Sequence, residues 1–218
     1  MTIPKDETLT FWWVVDTSGS MSGSRISRAN AGIQEAADEL RRIQADFQCS
    51  LKMGVLTFDE IMCIVCLPIS VDDFTEEPLS IRYKDNGFLP FGSYRCLYNG
   101  LYDVFTRDSI NTSRGATYVC LVTDGHPADA NQYQEAARRC LTGTRLNDAQ
   151  RYVMLVCGNE DQEEAWDFVR EFVDNDHDHV MSIENHSSLM TQVRMSVRNT
   201  HGFEEIPRDM FSKEYQFE

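Results

Sequence analysis

Basic residues are scarce. Lys and Arg number 20 against 35 Asp and Glu, a formal net charge of −15 over 218 residues. Such a surface repels phosphate backbones and anionic bilayers, which argues against nucleic-acid and membrane partners; cations and basic protein surfaces are drawn to it. Long apolar stretches are missing too: no run approaches the ~18 residues of a membrane span. The opening MTIPKDETLT lacks the basic start and apolar core of a secretory signal. Cysteines number seven, an odd count. Four of them, Cys63, Cys66, Cys120 and Cys157, lie in strand-like apolar runs, and free buried thiols fit a reducing compartment better than a disulfide framework. Together these absences predict a cytoplasmic protein. No glycine-rich phosphate loop ending in Gly-Lys-Ser/Thr, no G-x-G-x-x-G after a strand and no G-x-S-x-G elbow occurs. Nucleotide-cradling and serine-hydrolase chemistries therefore have no carrier. Repeats and low-complexity segments are also lacking. A chain of this length buries about 70% of its unfolded surface and needs neither metal nor disulfide to fold.

What is present is alternation. LTFWWVVD, near residues 9 to 16, reads as a strand buried on both faces, as in a parallel sheet. In the following stretch Ile26, Ala29, Ile33, Ala36, Ala37, Leu40, Ile43 and Phe47 recur at threes and fours, the stripe of a long amphipathic helix. SLKMGVLTFD and IMCIVCLPI are separated so tightly, at Asp59 and Glu60, that they predict an antiparallel hairpin, with Pro68 marking an edge strand or a strand end. A helix around CLYNGLYDVFTR, a strand ATYVCLVTD, a helix ANQYQEAARRCL, a strand RYVMLVCG, a helix DQEEAWDFVREFV, a short strand HVMSI and a last helix SSLMTQVRMSV follow. The order β-α-β-β-α-β-α-β-α-β-α predicts an α/β doubly wound, mostly parallel sheet with one antiparallel edge hairpin and helices on both faces. One domain over residues 1–198 is expected, with a tail over 199–218 whose Phe203, Phe211, Tyr215 and Phe217 could dock on it.

The first strand runs straight into Asp16, Thr17, Ser18, Gly19 and Ser20. The fourth ends in Asp124. Ligands of doubly wound sheets bind at the carboxyl ends of strands, so neighbouring strands 1 and 4 would aim Asp16 and Asp124 into one crevice, with Ser18 and Ser20 above. These are hard oxygen donors, suited to Mg²⁺, with Mn²⁺ or Ca²⁺ as alternatives. Ser18 and Ser20 could instead cap the next helix, a role worth ~1 kcal/mol. Ser22, Ser24 and Ser27 are equally placed for that, and capping does not account for two carboxylates that repel unless a cation lies between them.

Asp16-Thr17-Ser18-Gly19-Ser20 after an apolar strand and before a long helix, with CLVTDG later, resembles the D-x-S-x-S motif and the aspartate-ended strand of von Willebrand factor A (VWA) domains. The resemblance extends over roughly residues 8 to 198, and within the family it is nearest to intracellular members, among them proteins associated with tellurite resistance. It implies a metal-ion-dependent adhesion site built on Asp16, Ser18, Ser20 and Asp124, and a partner protein whose acidic residue completes the metal's shell. The family's threonine before the middle helix is missing. In Phe91-Gly92-Ser93-Tyr94-Arg95-Cys96-Leu97, Ser93 is the substitute ligand the resemblance allows. The alternative is a metal-free scaffold in which Arg95 turns inward and its guanidinium replaces the cation.

Other motifs have plainer readings. Cys63 and Cys66, three apart in a strand, face opposite ways and read as packing. His177 and His179 among Asp174, Asp176 and Asp178 read as a solvated loop, His126 as an exposed residue beside the crevice, and Trp12 and Trp13 as core on opposite faces. A Mg²⁺-dependent phosphotransferase of the haloacid-dehalogenase type is the enzymatic alternative. It would need a carboxylate where Ser18 stands, and the expectation is a protein–protein module without catalytic residues.

Overall fold

In the computed structural model, residues 8–75, 92–107, 115–157 and 162–201 are described. The first strand, β1 (Thr8–Asp16), is buried from Leu9 to its last residue because it lies in mid-sheet with helices on both faces. It is followed by α1 (Ser24–Phe47), then the hairpin β2 (Ser50–Phe58) and β3 (Met62–Ser70). Next come α2 (Tyr94–Thr106), β4 (Thr117–Thr123), α3 (Gln134–Gly143), β5 (Gln150–Leu155), α4 (Gln162–Val169), β6 (Val180–Ser182) and α5 (His186–His201). The predicted alternation is reproduced element for element. The strands form one six-stranded sheet in the order β3-β2-β1-β4-β5-β6. All neighbours are parallel except β2 and β3, the expected antiparallel edge pair.

Period-two alternation along β1 sends Leu9, Phe11, Trp13 and Val15 to one core and Trp12 and Val14 to the other. The first core lies under α1, whose buried stripe is Ala29, Gly32, Ile33, Ala36, Ala37, Leu40, Ile43 and Phe47, and under Leu189, Met190, Val193 and Val197 of α5. The second packs Leu97, Tyr98, Leu101 and Phe105 of α2, Ala137, Cys140 and Leu141 of α3, and Ala165 and Val169 of α4. Each tryptophan thus lies beneath its own helical layer, as expected. Trp12 presses on Gly54 of β2, where an added Cβ would stand 2.7 Å from the indole, so a side chain there would displace the ring.

Two expectations need adjustment. Cys63 and Cys66 are only partly buried, because β3 is the edge strand and much of its surface meets solvent. All seven cysteines are free, with Cys49, Cys120, Cys140 and Cys157 buried. The His177–His179 segment is a short 3₁₀ turn rather than an open loop. His177 stacks on Trp166 with ring centroids 3.6 Å apart, and His179 lies 4.6 Å from Tyr152. The last helix runs to His201. The tail aromatics Phe203, Phe211, Tyr215 and Phe217 lie outside the described residues.

Candidate functional site

β1 and β4 are adjacent and parallel, with Val15 opposite Val122. Their chains therefore leave the sheet side by side, and Asp16 and Asp124 arrive at the same rim. Both carboxylates are wholly buried. Asp16 accepts a hydrogen bond from the Ser18 backbone N–H at 2.9 Å on one oxygen and from the Thr123 hydroxyl at 3.0 Å on the other. Burial pushes its pKa up to about 7, and the nearby charge of Asp124 adds to the rise; the bonds from Ser18 and Thr123 only partly oppose it. A buried carboxylate held this high lacks a countercharge of its own.

The loop after β1 is fixed by its backbone. The Thr17 N–H and hydroxyl both donate to the Phe58 carbonyl at the end of β2, at 2.9 and 3.2 Å. A 3₁₀ turn over Gly19–Met21 then carries Ser20 back over Ser18, and the two hydroxyls meet at 3.1 Å. Neither serine's side chain caps the turn or α1. The capping alternative is therefore not how these hydroxyls are used.

Gly92 closes the site from the side of α2. A Cβ there would lie 3.0 and 3.1 Å from the two Asp16 carboxylate oxygens and 3.1 Å from the Phe58 ring. A side chain there would press on the carboxylate and the ring, which would have to give by a few tenths of an ångström. Ser93, the expected substitute for the family threonine, has its hydroxyl engaged elsewhere. It donates to Asp129 at 2.8 Å and accepts from the Cys96 N–H, making it the N-cap of α2. Asp129 also receives the Tyr94 and Arg95 N–H groups, both at 2.8 Å, so one carboxylate satisfies the start of the helix.

Arg95 does not turn inward. Its side chain is exposed and lines an outer groove with Asn99, Asp103, Gln132, Glu135 and Arg139. The inward cation is Arg25, from the first turn of α1. Its Nη1 donates to Asp124 at 2.9 Å and to the Ser20 carbonyl at 3.0 Å. The Arg95 alternative is thereby corrected: a residue at the head of α2 points along the helix exterior, whereas the first turn of α1 stands over the end of β4. His126 is half-buried, and its Nδ1 is 2.9 Å from the Asp124 carbonyl.

Arg25, Thr123, Asp129 and Gly92 were not singled out by the sequence reading. Thr123 could have been found as the residue preceding Asp124 on a strand neighbouring Asp16. Arg25 carried no such signal. As a test of metal fit, the rim offers two buried carboxylates and two adjacent hydroxyls, all hard oxygen donors. Among the described residues no group of three His, Cys, Asp or Glu side chains is placed to hold an ion. A cation here would therefore need the serine hydroxyls, and solvent or a partner's oxygen, to fill its shell.

No protein-family model matches the sequence, and no curated protein does. Solved structures do match. The pilus adhesin SpaC of Lactobacillus rhamnosus GG, in its open conformation, has a TM-score of 0.60 at 10% identity, over 89% of this chain and 30% of the adhesin. An aerotolerance-related membrane protein from Bacteroides fragilis NCTC 9343 has a TM-score of 0.56 at 13% identity, over 87% of this chain and 98% of that one. Proximal thread matrix protein 1 of the mussel byssus, described with a zinc-occupied MIDAS motif, has a TM-score of 0.50 at 12% identity, over 88% and 46%. The chain thus spans less than a third of the adhesin and nearly all of the Bacteroides protein. At such identities the likeness concerns the fold alone, which is the α/β arrangement of VWA-like proteins.

Proposed function

We propose that this chain is a non-enzymatic protein-interaction module that holds a divalent cation at Asp16, Ser18, Ser20 and Asp124 and engages an acidic residue of a partner protein there. Mg²⁺ is the ion the donors suit best, with Mn²⁺ or Ca²⁺ as alternatives. The carrying observation is the pair of wholly buried carboxylates at adjacent strand ends, one of them pushed up to about 7 by burial and by the other. An ion bound there would supply a Lewis-acidic position open to an external carboxylate. The residues' own contributions are separable. Asp16 and Asp124 supply two negative charges, Ser18 and Ser20 supply neutral donors, and Gly92 leaves the space beside Asp16 clear. Ser93 would join the donor set only by giving up its bond to Asp129. The zinc-occupied motif described for the mussel protein supports this reading, as does the adhesin among the structural neighbours.

A second reading has its own observation. The Arg25–Asp124 pair places a cation at the rim, which favours a metal-free scaffold that uses other surfaces. Isothermal titration of EDTA-stripped protein with Mg²⁺ and Mn²⁺, in wild type and Asp16→Ala, separates the two. Heat that vanishes in Asp16→Ala supports the metal site; no heat in either protein supports the scaffold. Phosphoester hydrolysis lost in Asp16→Ala would restore the phosphotransferase alternative. A cytoplasmic location and a nearer tie to the tellurite-resistance-associated proteins belong to the same proposal. The first draws support from the seven free cysteines. Among the described residues, no helix is long and apolar enough to cross a membrane.

A further inference from the structure

We propose that Arg25 is a tethered competitor of the divalent ion: its guanidinium holds Asp124 in the metal-free protein and must swing away for the ion to be held. The inference rests on the metal-binding reading above and goes beyond it by naming the residue that sets the site's affinity.

Arg25 is oddly placed for a helix residue. It lies in the first turn of α1, where the unpaired backbone N–H groups carry partial positive charge and a cation is disfavoured. No acidic residue shares that turn. The helix therefore does not account for the arginine; Asp124 does. That carboxylate is wholly buried and lies just past the end of β4, 99 residues away in sequence.

The pairing has the form of a replaceable contact. Both of the guanidinium's hydrogen bonds, to Asp124 and to the Ser20 carbonyl, leave from the single nitrogen Nη1. The parallel two-nitrogen fork that makes arginine–carboxylate pairs durable is not formed. The Arg25 side chain is also 33% exposed, against none for Asp124. A long arginine stem at the surface can carry its head into water with little loss. Charge acts in the same direction. One guanidinium brings a single positive charge to a rim that holds two carboxylates, and Asp16 receives only neutral donors, Ser18 and Thr123. A divalent ion matches both charges. Guanidinium and ion cannot share one Asp124 oxygen without bringing like charges together, so each weakens the other's hold.

The test is titration of EDTA-stripped wild type and Arg25→Met with Mg²⁺, alongside phenylglyoxal labelling of Arg25 in wild type read by peptide mass mapping. Arg25→Met should bind Mg²⁺ about tenfold more tightly than wild type, a coupling of ordinary size. Saturating Mg²⁺ should raise the labelling rate of Arg25 severalfold. Binding in Arg25→Met alone would be the extreme form of the same result. Equal or weaker affinity in the variant, with wild type binding normally, overturns the inference and leaves the metal site standing. No binding in either protein overturns both. Should Arg25→Met fail to fold without metal, the labelling decides alone: a rate unchanged by an amount of Mg²⁺ that gives full binding heat overturns the proposal.

Discussion

The rim above β1 and β4 and the outer edge at β3 break the rule of polar outside and apolar inside in opposite directions. At the rim, Asp16, Thr123 and Asp124 have no exposed surface at all. At the edge, Ile61, Ile64, Val65 and Leu67 are each exposed by 40–52%. The two differ in what compensates the breach. Buried carboxylates must be paid for by hydrogen bonds, a countercharge or protonation, and each of these ties the rim to another element: Thr123 to Asp16, Arg25 to Asp124. Exposed apolar side chains need nothing from the rest of the fold. Substitutions at the rim should therefore have large, condition-dependent effects of either sign, and those at the edge should be close to neutral.

The largest effect is expected at Gly125, next to Asp124. Its φ is +81°, and an added Cβ would lie 2.3 Å from the Ala165 Cβ. Backbone strain and overlap act together there, so Gly125→Ala should cost about 3 kcal/mol in urea unfolding. A cost under about 0.5 kcal/mol would mean that α4 can withdraw from the rim without loss.

Next comes the charge of Asp16 in the metal-free protein. Its folded pKa, about 7, lies above the unfolded value near 3.8. Protonation thus favours the fold: this contribution is fully present below about pH 4 and is lost as pH rises through about 7. Asp16→Asn cannot ionise. In EDTA it should be about 4 kcal/mol more stable than wild type at pH 8, with the difference closing toward pH 4. A difference that stays constant with pH would show that the Asp16 carboxylate is not strained.

Asp129→Ala should come third. It removes the acceptor of the Ser93 hydroxyl and of two backbone N–H groups at the start of α2. The expected loss is about 1–2 kcal/mol. If Ser93 is thereby freed toward the rim, Mg²⁺ affinity should rise as stability falls; an unchanged affinity would assign Ser93 to capping alone.

The smallest effect is expected at the edge. Ile64→Thr with Leu67→Thr should change stability by no more than about 0.5 kcal/mol while lowering light scattering on concentration. An edge strand without charged residues is prone to pair with other chains. A loss above about 2 kcal/mol would show that the edge is packed in solution, and the comparison with the rim would fail.

Much of this was legible because it is periodic or local. Apolar residues at threes and fours marked α1, unbroken apolar runs marked β1 and β4, and two residues between strand patterns marked the hairpin. Asp16 and Asp124 could be placed at one rim because both follow strands that a doubly wound order makes neighbours. Arg95 is the residue whose expected direction the structure reverses. Its position beside Ser93 said nothing of how α2 is rotated, and rotation sends its side chain outward. Arg25, which does the work assigned to Arg95, looked like any polar residue of an amphipathic helix. Ser93 had two possible partners by composition, and only the return of the chain after β4 brings Asp129 to it.

The sequence alone determined the order of elements, the parallel sheet with its hairpin, and the two carboxylates with two hydroxyls at strand ends, since these follow from backbone periodicity and neighbouring residues. The tertiary structure alone decided which cation meets Asp124, which hydroxyl serves a helix, and which apolar residues stay outside. Those outcomes depend on how helices turn and how distant segments approach, and short-range pattern carries no record of either.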